Sequence, residues 1–253
     1  MAKAISSIEK LKYDVVIELA DARAINISNI NFVTNKPKLT LAAKSDLTDL
    51  HNKQDIIYYS KNDKNIKNII IKKLESILKD KIKKAHIKGL VNPTFSILVI
   101  GLPNIGKSTL INTLVGKNKT IIENRPGVTR SNNLIKLNNM FYIYDTPGIM
   151  FKKIDNICDG YVLCLLNCIK KEIIPLNDVI NFAFEYYKSK YFQQFSNVFQ
   201  INKNTTFDEF ILYCCKKYNF SSISNSNDVN RCYEHLFKLF SSNELFKVNY
   251  ETL

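Results

Sequence analysis

The sequence predicts an α/β fold, in which a domain built on a parallel sheet precedes a small all-α domain. As far as Gly148, short apolar runs alternate with helical patterns, which is typical of parallel sheets covered by helices. Beyond Gly148, four helical patterns follow one another with no strand pattern between them. We therefore expect a sheet domain of residues 1–155 and a helical domain of residues 156–253.

Runs of apolar and β-branched residues, which favour buried extended structure, predict the strands. They are Asp14–Ala20, Pro37–Ala42, Ile56–Tyr59, Phe95–Ile100 and Phe141–Tyr144. Apolar residues at helical spacing predict the helices. These are Ala2–Leu11, Asn65–Lys84, Asn104–Val115, Cys158–Lys170, Pro175–Tyr187, Thr206–Lys217 and Asn227–Phe240. The polar segment Asp21–Asn31 is predicted to be a loop.

Positive charge is concentrated in the predicted sheet domain. The 253 residues carry a net charge of +13. Residues 1–150 hold 24 Lys and Arg against 12 Asp and Glu, whereas residues 151–253 hold 12 against 11. The densest stretch, Lys61–Lys88, has ten Lys and three acidic residues. Such a surplus favours a polyanionic partner, first of all nucleic acid. The alternatives are a solvated helix face and the lysine enrichment of an AT-rich genome.

The six cysteines are predicted to be buried apolar residues, because no pair has the C-x-x-C spacing of a zinc site. Met1–Lys12 is charged and has no apolar run. No apolar stretch approaches the roughly 20 residues of a membrane span. We expect a monomer without a membrane span in the cytoplasm, with the matrix of a mitochondrion or another organelle as the alternative location.

The segment Gly101–Ser108 (GLPNIGKS) matches the phosphate-binding pattern G-x-x-x-x-G-K-[ST] between a predicted strand and a predicted helix. Its glycines permit a close backbone approach, so that N–H groups point at phosphates where a helix begins and its dipole favours anions. Lys107 is predicted to reach the terminal phosphates, and the Ser108 hydroxyl is predicted to bind Mg²⁺.

Two further segments fit the same chemistry. Asp145-Thr-Pro-Gly148 begins 37 residues after Ser108, directly after a predicted strand. A carboxylate at a strand end suits a water-mediated Mg²⁺ contact, and Gly148 offers a backbone N–H to a γ-phosphate. Between them, Pro126-Gly-Val-Thr129 supplies a Thr hydroxyl that can join the Mg²⁺ ligands when a γ-phosphate is present.

These motifs together are the set found in translation-factor-type GTPases, which also read guanine with a segment of the form N-K-x-D. No such segment follows Gly148, but Ala43-Lys-Ser-Asp46 follows a predicted strand upstream. Ser60 ends the next strand, where a second base-contacting loop is expected. The motif order is therefore circularly permuted, a change that moves the chain termini and leaves the three-dimensional site whole.

With these motifs, the chain resembles the ribosome biogenesis GTPase A family of circularly permuted GTPases, which includes mitochondrial ribosome-associated GTPases. The resemblance spans roughly residues 1–190 and is carried by MAKAISSIEKL, DVVIELADAR, KPKLTLAAKSDL, GLPNIGKS, PGVT, DTPGIM and KKEIIPLNDV. It implies a P-loop GTPase domain with circularly permuted motifs, followed by a small all-α C-terminal domain. The implied function is slow GTP hydrolysis in assembly of the large ribosomal subunit, with the helical domain on ribosomal RNA.

The resemblance also implies roles for individual residues. Asp46 would pair with guanine through two hydrogen bonds, the Lys44 stem would pack on the base, and Asn104 would lie beside a K⁺ ion. The expected nucleotide-binding residues are Lys44, Ser45, Asp46, Ser60, Pro103, Asn104, Ile105, Gly106, Lys107, Ser108, Thr109 and Gly148. The expected catalytic residues are Lys107, Thr129 and Gly148, and the expected Mg²⁺ ligands are Ser108, Thr129 and Asp145. GTP or GDP, Mg²⁺ and K⁺ are the expected cofactors, with stimulation by the ribosome and by K⁺.

Ala43 departs from the family pattern, because it stands where N-K-x-D has Asn. Loss of one or two hydrogen bonds would weaken nucleotide binding by about 1–3 kcal/mol, roughly 5- to 150-fold. The family also has a His, expected to assist hydrolysis, in a W-F-P-G-H segment that would precede Met1. A degenerate GTPase that serves as an RNA-docking scaffold is therefore the alternative function. An adenine-specific ATPase is a third, against which Asp46 argues.

Overall fold

The computed structural model describes residues 8, 11–49, 53–116, 121–122, 133–146, 154, 156–220, 226–242 and 245–251. The chain divides into two compact units. The first consists of Met1–Lys153 with Glu251–Leu253, and the second of Ile154–Tyr250. Among the described residues, every strand lies in the first unit, and the second is built from helices.

The first unit is built on a seven-stranded sheet with the order β3-β2-β1-β4-β7-β6-β5. The strands are β1 (Val15–Asp21), β2 (Lys38–Ala43), β3 (Ile57–Tyr59), β4 (Phe95–Gly101), β5 (Ile121–Ile122), β6 (Asn133–Lys136) and β7 (Phe141–Asp145). Neighbours are parallel from β3 across to β7, whereas β6 and β5 continue the sheet antiparallel. All of β1 is buried, as expected for a central strand covered on both faces.

The helices of this unit are α1 (Ile25–Ser28), α2 (Ile66–Ile77), α3 (Lys79–Ile87) and α4 (Lys107–Val115). Helix α2 buries Ile66, Ile70 and Leu74, which are spaced by one helical turn, whereas α3 buries none of its residues. Of the helix predicted at Ala2–Leu11, Ile8 is helical and buried, Leu11 lies outside the helix, and the other residues are not among those described.

The prediction of a polar loop at Asp21–Asn31 is wrong. Asp21 is the last residue of β1, and α1 follows four residues later. The segment is held against the sheet because Ala22, Ala24 and Ile25 are buried, so its scattered apolar residues outweigh its polar ones.

In the first unit, two of the predicted helices differ in their limits, and two strands were not predicted. The single helix expected at Asn65–Lys84 is two helices that meet at Leu78. The helix expected from Asn104 begins at Lys107, because Asn104 and Gly106 have left-handed backbone angles. Strands β5 and β6 span two and four residues. They are defined by the pairing of β5 with β6 and of β6 with β7, and not by a sequence pattern of their own.

The second unit contains α5 (Ile157–Leu165), α6 (Leu176–Lys190), α7 (Phe192–Phe199), α8 (Phe207–Lys217) and α9 (Ser226–Ser242) among its described residues. Its core is aromatic. The fully buried rings of Phe184, Phe195, Phe199 and Phe210 lie 4.8 to 6.0 Å apart between centroids. Helix α7 was not predicted, although Phe195 and Phe199, one turn apart, form its buried face.

The helix predicted at Cys158–Lys170 ends earlier, at Leu165, because Asn167 has a left-handed backbone. All six cysteines are free thiols. The prediction that they are buried is confirmed for five of them, whereas Cys158 is half-buried. Within the described part of the chain, none of the helices combines the length and the apolar character needed to cross a membrane.

Candidate nucleotide-binding site

The carboxyl ends of the parallel strands β3, β2, β1, β4 and β7 meet at one edge of the sheet. Every described residue with a predicted nucleotide role ends one of these strands or lies in the segment that follows it. Open α/β sheets bind ligands at this edge. Because β2 and β4 flank β1, their ends lie roughly 10 Å apart, which leaves room for a sugar between a base site and a phosphate site.

The loop between β4 and α4 has the backbone of a phosphate cradle. A Cβ on Gly101 would lie 2.8 Å from Cγ2 of Ile105 and 3.2 Å from Cβ of Leu19, so glycine alone fits where the loop leaves the sheet. Gly106 has φ +109°, in the left-handed region that glycine favours, and α4 begins at the next residue. The loop therefore presents a helix N-terminus, whose N–H groups and dipole attract phosphate.

A cavity of about 490 Å³ opens over this loop, within the size range of small-molecule sites. Its lining residues are Leu102, Pro103, Asn104, Gly106, Lys107, Ser108 and Thr109. Leu102 is the one lining residue that was not predicted. Ile105, which was predicted, is fully buried and is not among the lining residues. Ser108 and Thr109 are exposed, which leaves their hydroxyls accessible.

Lys107 and Asp145 act on each other electrostatically. Only 9% of Lys107 is exposed, and this burial lowers the pKa of its ammonium below the usual value, while the charge of Asp145 opposes the shift. Asp145 ends β7 beside Val99 of β4, and the next residue, Thr146, donates a 2.7 Å hydrogen bond to the Val99 carbonyl oxygen. The two predicted phosphate and metal contacts are thus brought together by adjacent strands.

The predicted base-reading segment is a short 3₁₀ turn, Ser45–Leu47, directly after β2 and Lys44. Asp46 is exposed on this turn, and Lys44 precedes it with φ 60° and ψ 39°, in the left-handed region. Ser60 follows β3 and lies in a turn of its own, where its hydroxyl accepts a hydrogen bond from the Asn62 N–H. Lys44, Ser45, Asp46 and Ser60 therefore lie at neighbouring strand ends, two and three places from β4 in the sheet.

Ala43 lies against the phosphate loop. It is the last residue of β2 and is 2% exposed, and its Cβ is the nearest atom, at 3.7 Å, to a Cβ built on Gly106. The missing Asn of N-K-x-D would therefore stand directly against that loop. A methyl group here makes van der Waals contact but no hydrogen bond.

Asp21 and Arg23 form a buried charge network that the sequence analysis did not assign to the site. The Asp21 carboxylate accepts hydrogen bonds from Arg23 Nε (2.8 Å) and Nη2 (2.9 Å) and from Lys44 Nζ (2.8 Å). Burial alone would raise the pKa of Asp21, but the Arg23 guanidinium and then the Lys44 ammonium lower it to about 2. An acidic residue ending a buried strand, with Arg two positions later, is the signal that could have identified the network.

Two predicted site residues lie outside the described part of the chain. They are Thr129, in the segment Pro126–Thr129, and Gly148. Their roles remain predictions.

A glycine-limited phosphate loop, a carboxylate on the adjacent strand and an upstream base-reading segment at one sheet edge define a P-loop GTPase with permuted motif order. The family model described as "50S ribosome-binding GTPase" matches residues 96–212. The chain is 42% identical over 198 residues to the probable ribosome biogenesis GTPase A of Mycoplasma pneumoniae, covering 76% of this chain and 73% of that protein. It is 33% identical over 222 residues to ribosome biogenesis GTPase A of Priestia megaterium, covering 80% and 77%. The chain belongs to the ribosome biogenesis GTPase A family.

Solved structures show the same fold. The GDP-bound structure of YlqF from Thermotoga maritima superposes with a TM-score of 0.70 at 24% identity, over 98% of this chain and 97% of that one. The GNP-bound structure of T. maritima YlqF superposes with a TM-score of 0.68 at 23% identity and the same coverage. The prediction of a permuted α/β GTPase domain followed by a helical domain is confirmed.

Asp21→Asn is expected to make the fold less sensitive to acid. Because the pKa of Asp21 is held at about 2, below its ordinary 3.8, its ion pairs stabilise the protein fully above about pH 4 and are lost as the pH falls towards 2. Between pH 6 and pH 3, the wild-type free energy of unfolding should fall by about 1 kcal/mol more than that of the variant. Urea unfolding at both pH values measures this. The exposed Asp80→Asn is the control, and equal losses in wild type and Asp21→Asn would contradict the prediction.

Ala43→Asn is expected to tighten GDP binding by about 5- to 150-fold, because its amide adds one or two hydrogen bonds against the phosphate loop. Isothermal titration calorimetry with GDP measures the gain. Ala43→Leu is the matched control, since Leu has nearly the shape of Asn without its hydrogen-bonding groups. Unchanged affinity in Ala43→Asn, or an equal gain in Ala43→Leu, would refute the role of the missing amide.

Proposed function

We propose that this protein hydrolyses GTP slowly as an assembly factor of the large ribosomal subunit, and that K⁺ and the ribosome stimulate it. The observation that carries this proposal is the phosphate cradle on β4 and the base-reading turn on β2, spaced for one nucleotide at the same sheet edge. The family supplies the biological setting, because its members are named for ribosome biogenesis.

Among the described residues, one group contacts the base and another contacts the phosphates. Asp46 accepts two hydrogen bonds from guanine, which an adenine ring cannot offer in that arrangement. The aliphatic stem of Lys44 packs on the base, and Ser60 contacts it from the next strand end. Pro103–Gly106 and Thr109 surround the phosphates, and the Lys107 ammonium contacts their terminal oxygens. Partial burial strengthens the attraction of this ammonium for phosphate, because little water screens it.

The side chains beside the phosphate loop are suited to bind a divalent cation. Ser108 offers an exposed hydroxyl at the start of α4, and Asp145 offers a carboxylate at the end of the adjacent parallel strand. Thr129 is proposed to complete this set, and Asn104 is proposed to hold K⁺. When bound, both cations supply positive charge that offsets charge on the phosphates.

Hydrolysis is an in-line displacement by water. The water oxygen bonds to the γ-phosphorus and its proton passes to a phosphate oxygen, while the bond from that phosphorus to the bridging oxygen breaks and GDP leaves with the electron pair. Lys107 and the loop N–H groups stabilise the charge that builds up on the phosphate oxygens, and the Gly148 N–H is proposed to join them. Most of the catalysis assigned to this chain is therefore positioning and charge stabilisation.

The ten lysines of Lys61–Lys88, most of which lie on α2 and α3, form a basic face that we propose to contact ribosomal RNA. Among the described residues, Lys81 is the only one of the ten lysines in Lys61–Lys88 that forms an ion pair, with Asp14. Helix α3 buries none of its residues, so packing against the hydrophobic core does not account for its sequence. Of the eight large apolar residues recorded as exposed in the described chain, four lie in or beside this face: Ile69, Ile87, Leu90 and Val91.

A degenerate scaffold is the second candidate function, and the position of Ala43 favours it. The residue lies where an amide would brace the phosphate loop, so the nucleotide site lacks a contact at a central point. Such a protein would bind RNA through the basic face regardless of its nucleotide state.

Co-sedimentation with purified large ribosomal subunits in K⁺ buffer distinguishes these two functions. The full chain is mixed with a non-hydrolysable GTP analogue, with GDP or with no nucleotide. A working switch is expected to pellet with the GTP analogue and to remain in the supernatant with GDP. Equal pelleting in all three would favour the scaffold. Absence from every pellet would contradict a ribosomal partner.

Neutralising the basic face should weaken binding to the large subunit and reduce its salt dependence. The triple variant Lys83→Gln, Lys84→Gln, Lys88→Gln should lower the slope of log K against log salt by about three, if each lysine contacts a phosphate. The matched control, Lys190→Gln, Lys216→Gln, Lys238→Gln, removes the same charge from exposed sites on the second unit. A larger loss in the control would place the RNA contact on the helical unit.

A further inference from the structure

The segment Asp21–Arg23 takes no part in the chemistry above, yet it contains some of the most deeply buried charges in the described chain. Asp21 is fully buried and Arg23 is 2% exposed. The Arg23 backbone N–H also donates to Asp21 Oδ1 at 3.1 Å, so the segment forms a tight turn at the end of β1. A buried carboxylate with a paired guanidinium remains charged, and that charge is available to a third group.

The third group is the ammonium of Lys44, 2.8 Å from Asp21 Oδ2. The pairing is a consequence of register, because Asp21 lies beside Ala43 in the β1–β2 pair and the Ala22 N–H donates to the Ala43 carbonyl oxygen at 2.8 Å. The Lys44 side chain is 27% exposed and the Asp21 side chain is fully buried. This ion pair is therefore screened less by water than a surface pair.

Lys44 has a backbone conformation that needs support from its surroundings. Its φ of 60° and ψ of 39° lie in the left-handed region, which residues with a side chain rarely adopt and which persists where neighbouring contacts enforce it. The Lys44 carbonyl oxygen accepts from the Leu47 N–H at 3.0 Å, closing the turn that carries Asp46. The angle at Lys44 thus sets where Asp46 stands.

We propose that Asp21 is a positioning residue for guanine recognition, whose ion pair with Lys44 sets the turn bearing Asp46 in place of the absent Asn brace. The proposal rests on the guanine binding proposed above. Ala43 brings no polar group to the phosphate loop. The contact that holds the base-reading turn is instead the ion pair between Lys44 and Asp21, the last residue of β1.

The test compares GDP with IDP, which lacks the exocyclic amine that Asp46 is proposed to accept from. Affinities for both are measured by calorimetry on the full chain. Lys44→Met keeps the aliphatic stem, removes the ammonium, and leaves Asp21 paired with Arg23, so that folding is preserved. It should weaken GDP binding about 10-fold and reduce the preference for GDP over IDP at least about threefold. Lys44→Arg, which can still pair with Asp21, should retain most of that preference.

Asp21→Asn tests the carboxylate itself and should lose the same preference, with circular dichroism confirming that it folds. Loss of general stability, or of attraction between Lys44 and phosphate, would weaken GDP and IDP equally, so an unchanged preference in Lys44→Met overturns the proposal. A wild-type protein that shows no preference for GDP over IDP contradicts the proposed function itself. The two failures are therefore distinguishable.

A double-mutant cycle adds a second readout. If the ion pair replaces the Asn brace, Lys44→Met should weaken GDP binding less in the Ala43→Asn background than in the wild type, because the new amide fixes the turn independently. Equal effects in the two backgrounds would show that the ion pair and the amide act on different parts of the site, and would overturn the proposed substitution of one for the other.

Discussion

The parallel pairing of β2, β1, β4 and β7 is the constraint on which the rest of the site depends. The carboxyl ends of parallel strands lie at a common edge of the sheet. Loops that follow different strands can therefore line the same site even when they are far apart in the sequence. The order in which the motifs occur along the chain is therefore immaterial to the site. What matters is that β1 lies between β2, which precedes the turn predicted to read the base, and β4, which precedes the phosphate loop.

The strand β1 has two functions in this arrangement. Its apolar residues fill the centre of the sheet, and the Cβ of Leu19 lies 3.2 Å from the position of a Cβ added to Gly101, closer than an ordinary contact. Its last residue, Asp21, brings a charge into the interior, which is unfavourable without partners. Arg23 and Lys44 supply those partners from the turn after β1 and the end of β2. Packing and electrostatics thus both connect β1 to the loops beside it.

The two units differ in the physical source of their stability and in their surfaces. The first has a sheet whose central strand, β1, buries mainly aliphatic residues, and a helix, α3, that buries none of its residues and carries lysines. The second has a core of stacked and edge-on aromatic rings, and its charges nearly balance. A long-range attraction to a polyanion therefore arises mainly from the first unit, which also contains the nucleotide site.

Local sequence was sufficient for the elements whose pattern is strong. The phosphate loop, the five strands β1, β2, β3, β4 and β7 and most of the amphipathic helices follow from spacing and composition, because each has an apolar run, a periodicity or a glycine requirement that neighbouring residues express by themselves. Strands β5 and β6 could not be predicted in this way, since a few residues become a strand only when a partner strand accepts their hydrogen bonds.

The sequence by itself determined which residues could contact a nucleotide and in which order they occur. Tertiary structure decided how they are supported. That Asp21 ends β1 in register with Ala43, and so reaches Lys44, depends on strand pairing across residues more than twenty positions apart. That Ala43 lies beside Gly106 depends on the end of β2 meeting the phosphate loop at the sheet edge. A local pattern can mark Asp21 and Arg23 as unusual, but it does not name their distant partners, because the free energy that selects these contacts comes from burial and pairing across the whole sheet.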